Sequence, residues 1–273
     1  MSSRIKIDDY YPHNMKQRYG GLKPFHAEID AILAKKRESY KETLEGFVKY
    51  VVQLQEISLT GKPGSSLEPY WNNGFLPGPD ALAVYGFISE KRPKLYIEVG
   101  SGHSTKFAAQ AIRFNSPATR IISIDPYPRA EIDALCETVI RERLEECDLE
   151  LFEALEPGDI VFFDGSHRVL QNSDNTVFFL EVIPRLKAGV LIHLHDIPWP
   201  FDYPDEWSRR MYSEQYVLGA MLLYAHEKFE IMLPNAYISW RTNLKEIFNL
   251  LWQTPGLDGI SAGGSSFWFT KKG

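Results

Sequence analysis

The sequence predicts an α/β protein built on a mostly parallel sheet with helices on both faces, a Rossmann-like, doubly wound arrangement. Three observations predict it. From residue 94 onward, short and almost wholly apolar runs (95–99, 120–124, 160–163, 189–194) alternate with stretches of helical periodicity. A glycine loop, Gly100-Ser101-Gly102, separates the first run from the next helix, and the second run ends on an acid, Asp125. Ligands of such sheets bind at the carboxyl ends of the strands, near the switch in strand order. The residues just after each strand are therefore where chemistry is expected.

The remaining elements follow in chain order. Residues 1–24 read as a loose polar and aromatic arm hinged at Gly20 and Gly21. Residues 25–57 carry apolar side chains at helical spacing (Ile29, Ile32, Leu33, Tyr40, Leu44, Phe47) with Lys and Glu between them, which predicts one or two amphipathic helices. Together, residues 1–68 form an N-terminal arm and helical extension, and 69–273 the α/β domain. Asp80 is placed to cap a helix over 81–89. Helices are expected at 104–114, 130–138, 176–186 and 216–226, and a third strand near 139–144. Runs at 229–233 and 266–270 are spaced to pair as the last two strands.

Composition narrows the function. A chain of 273 residues can bury one sizeable core, and 44% hydrophobic with 24% charged residues is ordinary for a globular protein. The net charge of -6 argues against nonspecific nucleic-acid binding, which relies on clustered Lys and Arg. Two cysteines, Cys136 and Cys147, provide neither a disulfide framework nor a thiolate metal site. No signal-peptide core and no run of about 18 uncharged apolar residues is found, so the expectation is a cytoplasmic protein without a membrane partner. The N-terminal helices are free to support a homo-oligomer or to cover the cleft.

The glycine loop must be assigned to a ligand. A phosphate-binding loop needs a Gly-Lys-Ser/Thr ending, and Ser104-Thr105-Lys106 has the wrong order; a dinucleotide loop expects Gly or Ala where Thr105 stands. Glu98, two residues before the first glycine, would repel a pyrophosphate but suits a ligand carrying an ammonium and a sulfonium. Asp125 is positioned to accept both ribose hydroxyls of an adenosine. Each feature alone reads as an ordinary turn or a solvated acid; in this order and spacing they read as a ligand site.

Segment 97–105 (IEVGSGHST) resembles the glycine motif of class I S-adenosylmethionine-dependent methyltransferases. Segments 159–167 (DIVFFDGSH), 189–197 (GVLIHLHDI) and 203–207 (YPDEW), with 71–75 (WNNGF) and 214–216 (EQY), resemble a bacterial branch of the methyltransferase-24 type. The resemblance covers roughly residues 69–269. It implies a seven-stranded sheet whose last strand is antiparallel, and S-adenosylmethionine as cofactor. It also implies that Glu98, Gly100, Ser101, Gly102 and Ser104 line the methionine end, Asp125 the ribose, and Glu146 the adenine amino group. Gly165 departs from the Ser that relatives often carry there, which is expected to loosen the loop after the fourth strand.

Asp164 and His167 follow the fourth strand, and His195 and Asp196 end the fifth, so both pairs are expected beside the donor methyl. Methyl transfer is an in-line displacement that the protein mainly aligns. An oxygen acceptor must also lose a proton, and two routes are open: His167 or His195 as general base with Asp196 beside it, or a divalent metal on Asp164, His195 and Asp196. His193, inside the fifth strand, reads as a core histidine. Aromatic segments 197–207 and 71–75 are expected to wall the acceptor, a small molecule or a glycan hydroxyl. The leading expectation is thus an O-methyltransferase. The alternatives are a metal-dependent hydrolase or oxygenase-like enzyme using His167, His193, His195 and Asp196, and a non-catalytic binding module on the same fold.

Overall fold

The computed structural model describes residues 15–62, 64 and 66–273. Seven strands form one sheet: β1 (Leu95–Val99), β2 (Arg120–Ile124), β3 (Thr138–Ile140), β4 (Ile160–Phe163), β5 (Leu191–Leu194), β6 (Phe229–Pro234) and β7 (Phe267–Lys271), in the order β3-β2-β1-β4-β5-β7-β6. The first five are parallel neighbours, whereas β7 runs antiparallel to both β5 and β6. The order reverses between β1 and β4, and there the carboxyl ends of two strands open a crevice. Strands β1, β4 and β5 are buried at every position, which is why they read as continuous apolar runs.

Ten α-helices accompany the strands among the described residues: α1 (Ala27–Ala34), α2 (Arg37–Val48), α3 (Val51–Gln55), α4 (Gly78–Lys91), α5 (His103–Asn115), α6 (Asp174–Val177), α7 (Ile183–Arg185), α8 (Glu214–Ala225), α9 (Asn235–Arg241) and α10 (Lys245–Leu251). A π-turn at Phe178–Val182 joins α6 to α7, so the expected 176–186 helix is one irregular rod. The apolar stripe of residues 25–57 is shared among α1, α2 and α3. Ile29, Leu33, Tyr40, Leu44, Phe47 and Leu54 are all buried in the same core as the sheet, with α1 against α8 and α2 against α4 and β6. No helix among the described residues is long and apolar enough to cross a membrane.

Four expectations need correction. Residues 130–138 form no α-helix but a short 3₁₀ turn, Asp133–Leu135, and β3 begins at Thr138 instead of 139. Of the turn and its neighbours only Ile132 is buried, and one apolar anchor cannot hold a helix to the sheet. Helix α4 starts at Gly78 behind Pro77, so Asp80 lies within the first turn and does not cap it. Helices α9 and α10 fill a stretch for which no element was expected. Finally, the described part of the arm is docked rather than loose: the Asp202 carboxylate accepts the backbone N–H of Arg18 and of Tyr19, at 2.5 and 3.0 Å. Residues 1–14 of the expected arm lie outside the described residues.

Candidate active site

At the crevice, β1 ends in the glycine loop and α5 begins. Gly100 has φ of +83°, a conformation that an L side chain resists, and its N–H donates to the Ile124 carbonyl at 3.0 Å. Asp125, just past β2, ties the loop down. One of its carboxylate oxygens accepts the Ser101 N–H at 2.8 Å and the other the Tyr127 N–H at 2.7 Å. Nothing lies within 4 Å of where a Cβ on Gly102 would stand, so the loop leaves an open cradle at the start of α5. Gly100, Ser101, Gly102, Ser104, Asp125 and Asp164 all line one cavity of about 500 Å³ here.

A second cavity, of about 1100 Å³, adjoins the first. Asp164, Phe75 and Arg129 line both. Its floor holds Asp164, His167, His195 and Asp196, the four residues expected at the ends of β4 and β5. His167 Nε2 lies 3.2 Å from Asp164 Oδ1 and 3.8 Å from Asp196 Oδ2; His195 Nδ1 lies 3.5 Å from Asp196 Oδ1 and 3.7 Å from Asp164 Oδ1. His167 and Asp196 adopt φ of +60° and +53°, and residues held in this region commonly sit at functional sites.

Two further carboxylates complete the cluster, and the sequence did not single out either for this role. Glu214, in the first turn of α8 and fully buried, places Oε1 2.5 Å from His167 Nδ1. Asp80, fully buried in α4, places Oδ2 3.3 Å from His195 Nε2. Asp80 is itself held by the backbone N–H groups of Ser265 and Ser266, both at 2.9 Å, and by the Asn235 side-chain amide at 2.7 Å. Each histidine thus touches one carboxylate behind it and two in front. Burial opposes charge on both rings, yet these acids outweigh it. His167 is held well above the ordinary imidazole range by Glu214 and Asp164, and His195 is lifted to about 10 by Asp164, Asp196 and Asp80. Burial alone would raise the Asp164 carboxyl, but the two imidazoles hold it well below the usual carboxylate range. The surrounding carboxylates therefore favour the protonated form of both rings, which weighs against the expectation of a neutral histidine poised as base.

Other expected residues sit elsewhere. Glu98 is fully buried beneath the loop and does not line either cavity. It pairs across the sheet with Ser123 and Phe162, on the row that continues to His193 and Trp268. Its carboxylate makes no hydrogen bond of good geometry, and burial pushes it up to about 8, the nearby Ser104 and Thr105 hydroxyls offsetting only part. Its folded value lies above its unfolded one, so its contribution to stability is full below the unfolded value and falls as pH rises through about 8. Glu98→Gln is accordingly expected to stabilise the protein near pH 8, on the order of 3 kcal/mol, and far less near pH 5. Equal shifts in melting temperature at the two pH values would refute this account.

Glu146 is exposed; its neighbours Leu144 and Glu145 line the smaller cavity instead. His193 donates or accepts at Ser266 Oγ, 2.8 Å away, and its ring stacks on Phe162 at 3.7 Å, so it is the core histidine expected. Among the described residues, no group of three or more His, Cys, Asp or Glu side chains is arranged to hold a metal ion. The possible metal set of Asp164, His195 and Asp196, and the hydrolase reading that depended on one, gain no support. Gly165 does not loosen its loop: a Cβ there would meet Asp174 Oδ2 at 2.3 Å, and Ser166 donates to the same carboxylate through its N–H and hydroxyl at 2.5 and 2.6 Å.

Residues 97–197, from β1 through the end of β5, match the methyltransferase-domain family. An uncharacterised protein of Archaeoglobus fulgidus is 34% identical over 93 residues, which span 32% of this chain and 42% of that protein. Among solved structures, an O-methyltransferase from Bacillus cereus in complex with SAH aligns over 85% of this chain and 91% of its own, at 15% identity and a TM-score of 0.41. The plantazolicin methyltransferase BpumL with SAH aligns over 89% and 100%, at 13% identity and a TM-score of 0.47. The match to the methyltransferase-domain family thus lies on the strands that build the crevice.

Proposed function

We propose that the protein transfers a methyl group to a hydroxyl of a small molecule, with the donor in the smaller cavity and the acceptor in the larger. The observation that supports this reading is the junction: Asp164 belongs to both cavities, and the charged floor begins there on the acceptor side. The residues present fit the donor. The open cradle at Gly102 and the first N–H groups of α5 would hold its amino-acid end, and the Asp125 carboxylate, which lines the same cavity, would accept the ribose hydroxyls. When bound, S-adenosylmethionine supplies the methyl group to the acceptor oxygen as its carbon–sulfur bond breaks, the electron pair staying on sulfur.

The chain's own residues prepare the oxygen. His167 and His195, protonated and held from behind by Glu214 and Asp80, present N–H donors toward the floor and stabilise negative charge on the acceptor oxygen. The hydroxyl proton passes to a carboxylate, for which Asp196 is best placed: it lines only the acceptor cavity and its side chain keeps 15% exposure. Such a weak base suits an acidic hydroxyl, such as a phenol, better than a sugar alcohol.

The test is calorimetric titration with S-adenosylhomocysteine. The parent is expected to bind, and Asp125→Ala to weaken binding about 10- to 100-fold, the worth of one or two charge-assisted hydrogen bonds. No binding to the parent at millimolar ligand would remove the reading.

A further inference from the structure

The larger cavity contains charges of both signs, and they differ in whether they are already answered. Asp164 and Asp196 face the two imidazoles, and Asp196 also accepts the Ser265 hydroxyl at 3.2 Å. Asp202 accepts two backbone N–H groups and the Tyr216 hydroxyl at 3.0 Å. The two arginines on the lining have no such answer. The Arg210 guanidinium lies over the rings of Trp207 and Tyr212, at 4.4 and 5.6 Å, and that of Arg129 over Phe75 at 5.5 Å. Among the described residues neither meets a carboxylate. A guanidinium held against rings and not against a carboxylate keeps N–H groups free for a planar anion. Trp240, 55% exposed, also lines the cavity, its ring edge-on to Phe201 at 6.4 Å.

The cavity thus lacks two things, a flat apolar body between its rings and a negative charge at its rim. The chain's net charge of -6 does not favour anions in general, so any preference must come from contact with these guanidiniums. We infer that the acceptor is an anionic aromatic compound: a hydroxylated ring packed among Trp207, Tyr212 and Trp240, its acid group on Arg210 and its hydroxyl toward His167 and Asp196. This rests on the methyltransferase reading of the same site. Arg129 lines both cavities and can serve the donor too, so Arg210, which lines only the larger one, is the discriminating residue.

The experiment measures kcat/KM for methyl transfer from radiolabelled S-adenosylmethionine to protocatechuate, caffeate and gallate, each beside its own carboxamide. The full chain is expected to prefer the acids by about tenfold or more, and Arg210→Gln to lose that preference while keeping the parent's affinity for S-adenosylhomocysteine. Equal use of acids and amides overturns the inference, as does an acid preference that survives in Arg210→Gln. A parent that binds S-adenosylhomocysteine but methylates none of the acids overturns it also. A parent that fails to bind S-adenosylhomocysteine removes the methyltransferase reading itself, and the inference with it.

Discussion

Gly100→Ala is expected to destroy donor binding and to cost at least about 3 kcal/mol of stability, through two separate causes. The first is backbone conformation, since alanine at φ of +83° is disfavoured by roughly 1–2 kcal/mol. The second is contact: the added Cβ would stand 1.9 Å from the Asp164 carbonyl oxygen and 2.8 Å from its carbonyl carbon. Neither atom is the end of a flexible side chain. Relief requires prising apart the loops after β1 and β4, which the Asp164 N–H to Val99 carbonyl bond at 2.9 Å holds together. Those loops meet where the two cavities join, so the strain falls on the proposed reaction centre. Gly102→Ala is the control. Its φ of 172° lies outside the left-handed region, and its Cβ would have no neighbour within 4 Å. That variant is expected to melt close to the parent but bind S-adenosylhomocysteine more weakly. A Gly100→Ala protein that melts near the parent and still binds donor product would show the close approach to be unimportant.

Glu214→Ala is expected to cost about 3–5 kcal/mol, because it strips the rear carboxylate from a buried imidazolium and leaves that charge poorly answered. The pH dependence gives the result its signature. The folded state holds His167 well above its unfolded value, so the stability the pair contributes is fully present below the unfolded value, near pH 6.5. It is lost as pH rises through the folded value. Parent and variant should therefore differ most in urea midpoint near pH 6 and converge as the solution is made alkaline. Glu214→Gln keeps the volume and a hydrogen-bond acceptor, and should recover part of the stability but not the methyl-transfer rate, since the ring no longer holds its proton. A difference in midpoint that stays constant with pH would mean Glu214 only fills space.

Much of the frame was legible beforehand because burial writes itself into short strands. Strands β1, β2 and β4 appear in the sequence as apolar runs with the bounds they have in the fold, and the final pair shows as two runs of suitable length. The glycine loop and Asp125 were legible together because their spacing is local. The burial of Glu98 is not legible in the sequence. Alternation along β1 puts it on the same sheet face as Phe162 and His193, but that face is known only once the register is. Asp80 and Glu214 left no usable signal. Each is a lone acid in the first turn of a helix, where an acid is expected for the helix dipole alone. Nor could the protonation of the histidines be read, since it follows from four carboxylates brought together by separate elements. The aromatic wall was anticipated at 197–207, whereas Tyr212 and Trp240 join it from beyond that loop.

The two cavities also differ in how far apart their walls lie along the chain. The smaller is assembled from residues between Phe75 and Asp174, most of them at the tips of four neighbouring parallel strands. The larger draws on Gln17 at one end and Ser265 at the other, and its rim is closed when the Asp202 carboxylate captures Arg18 and Tyr19. Contacts between distant residues carry the greater loop-closure entropy and form later as a chain folds. The smaller pocket therefore closes within residues 75–174, whereas the larger closes only across residues 17–265, at the greater cost in loop-closure entropy.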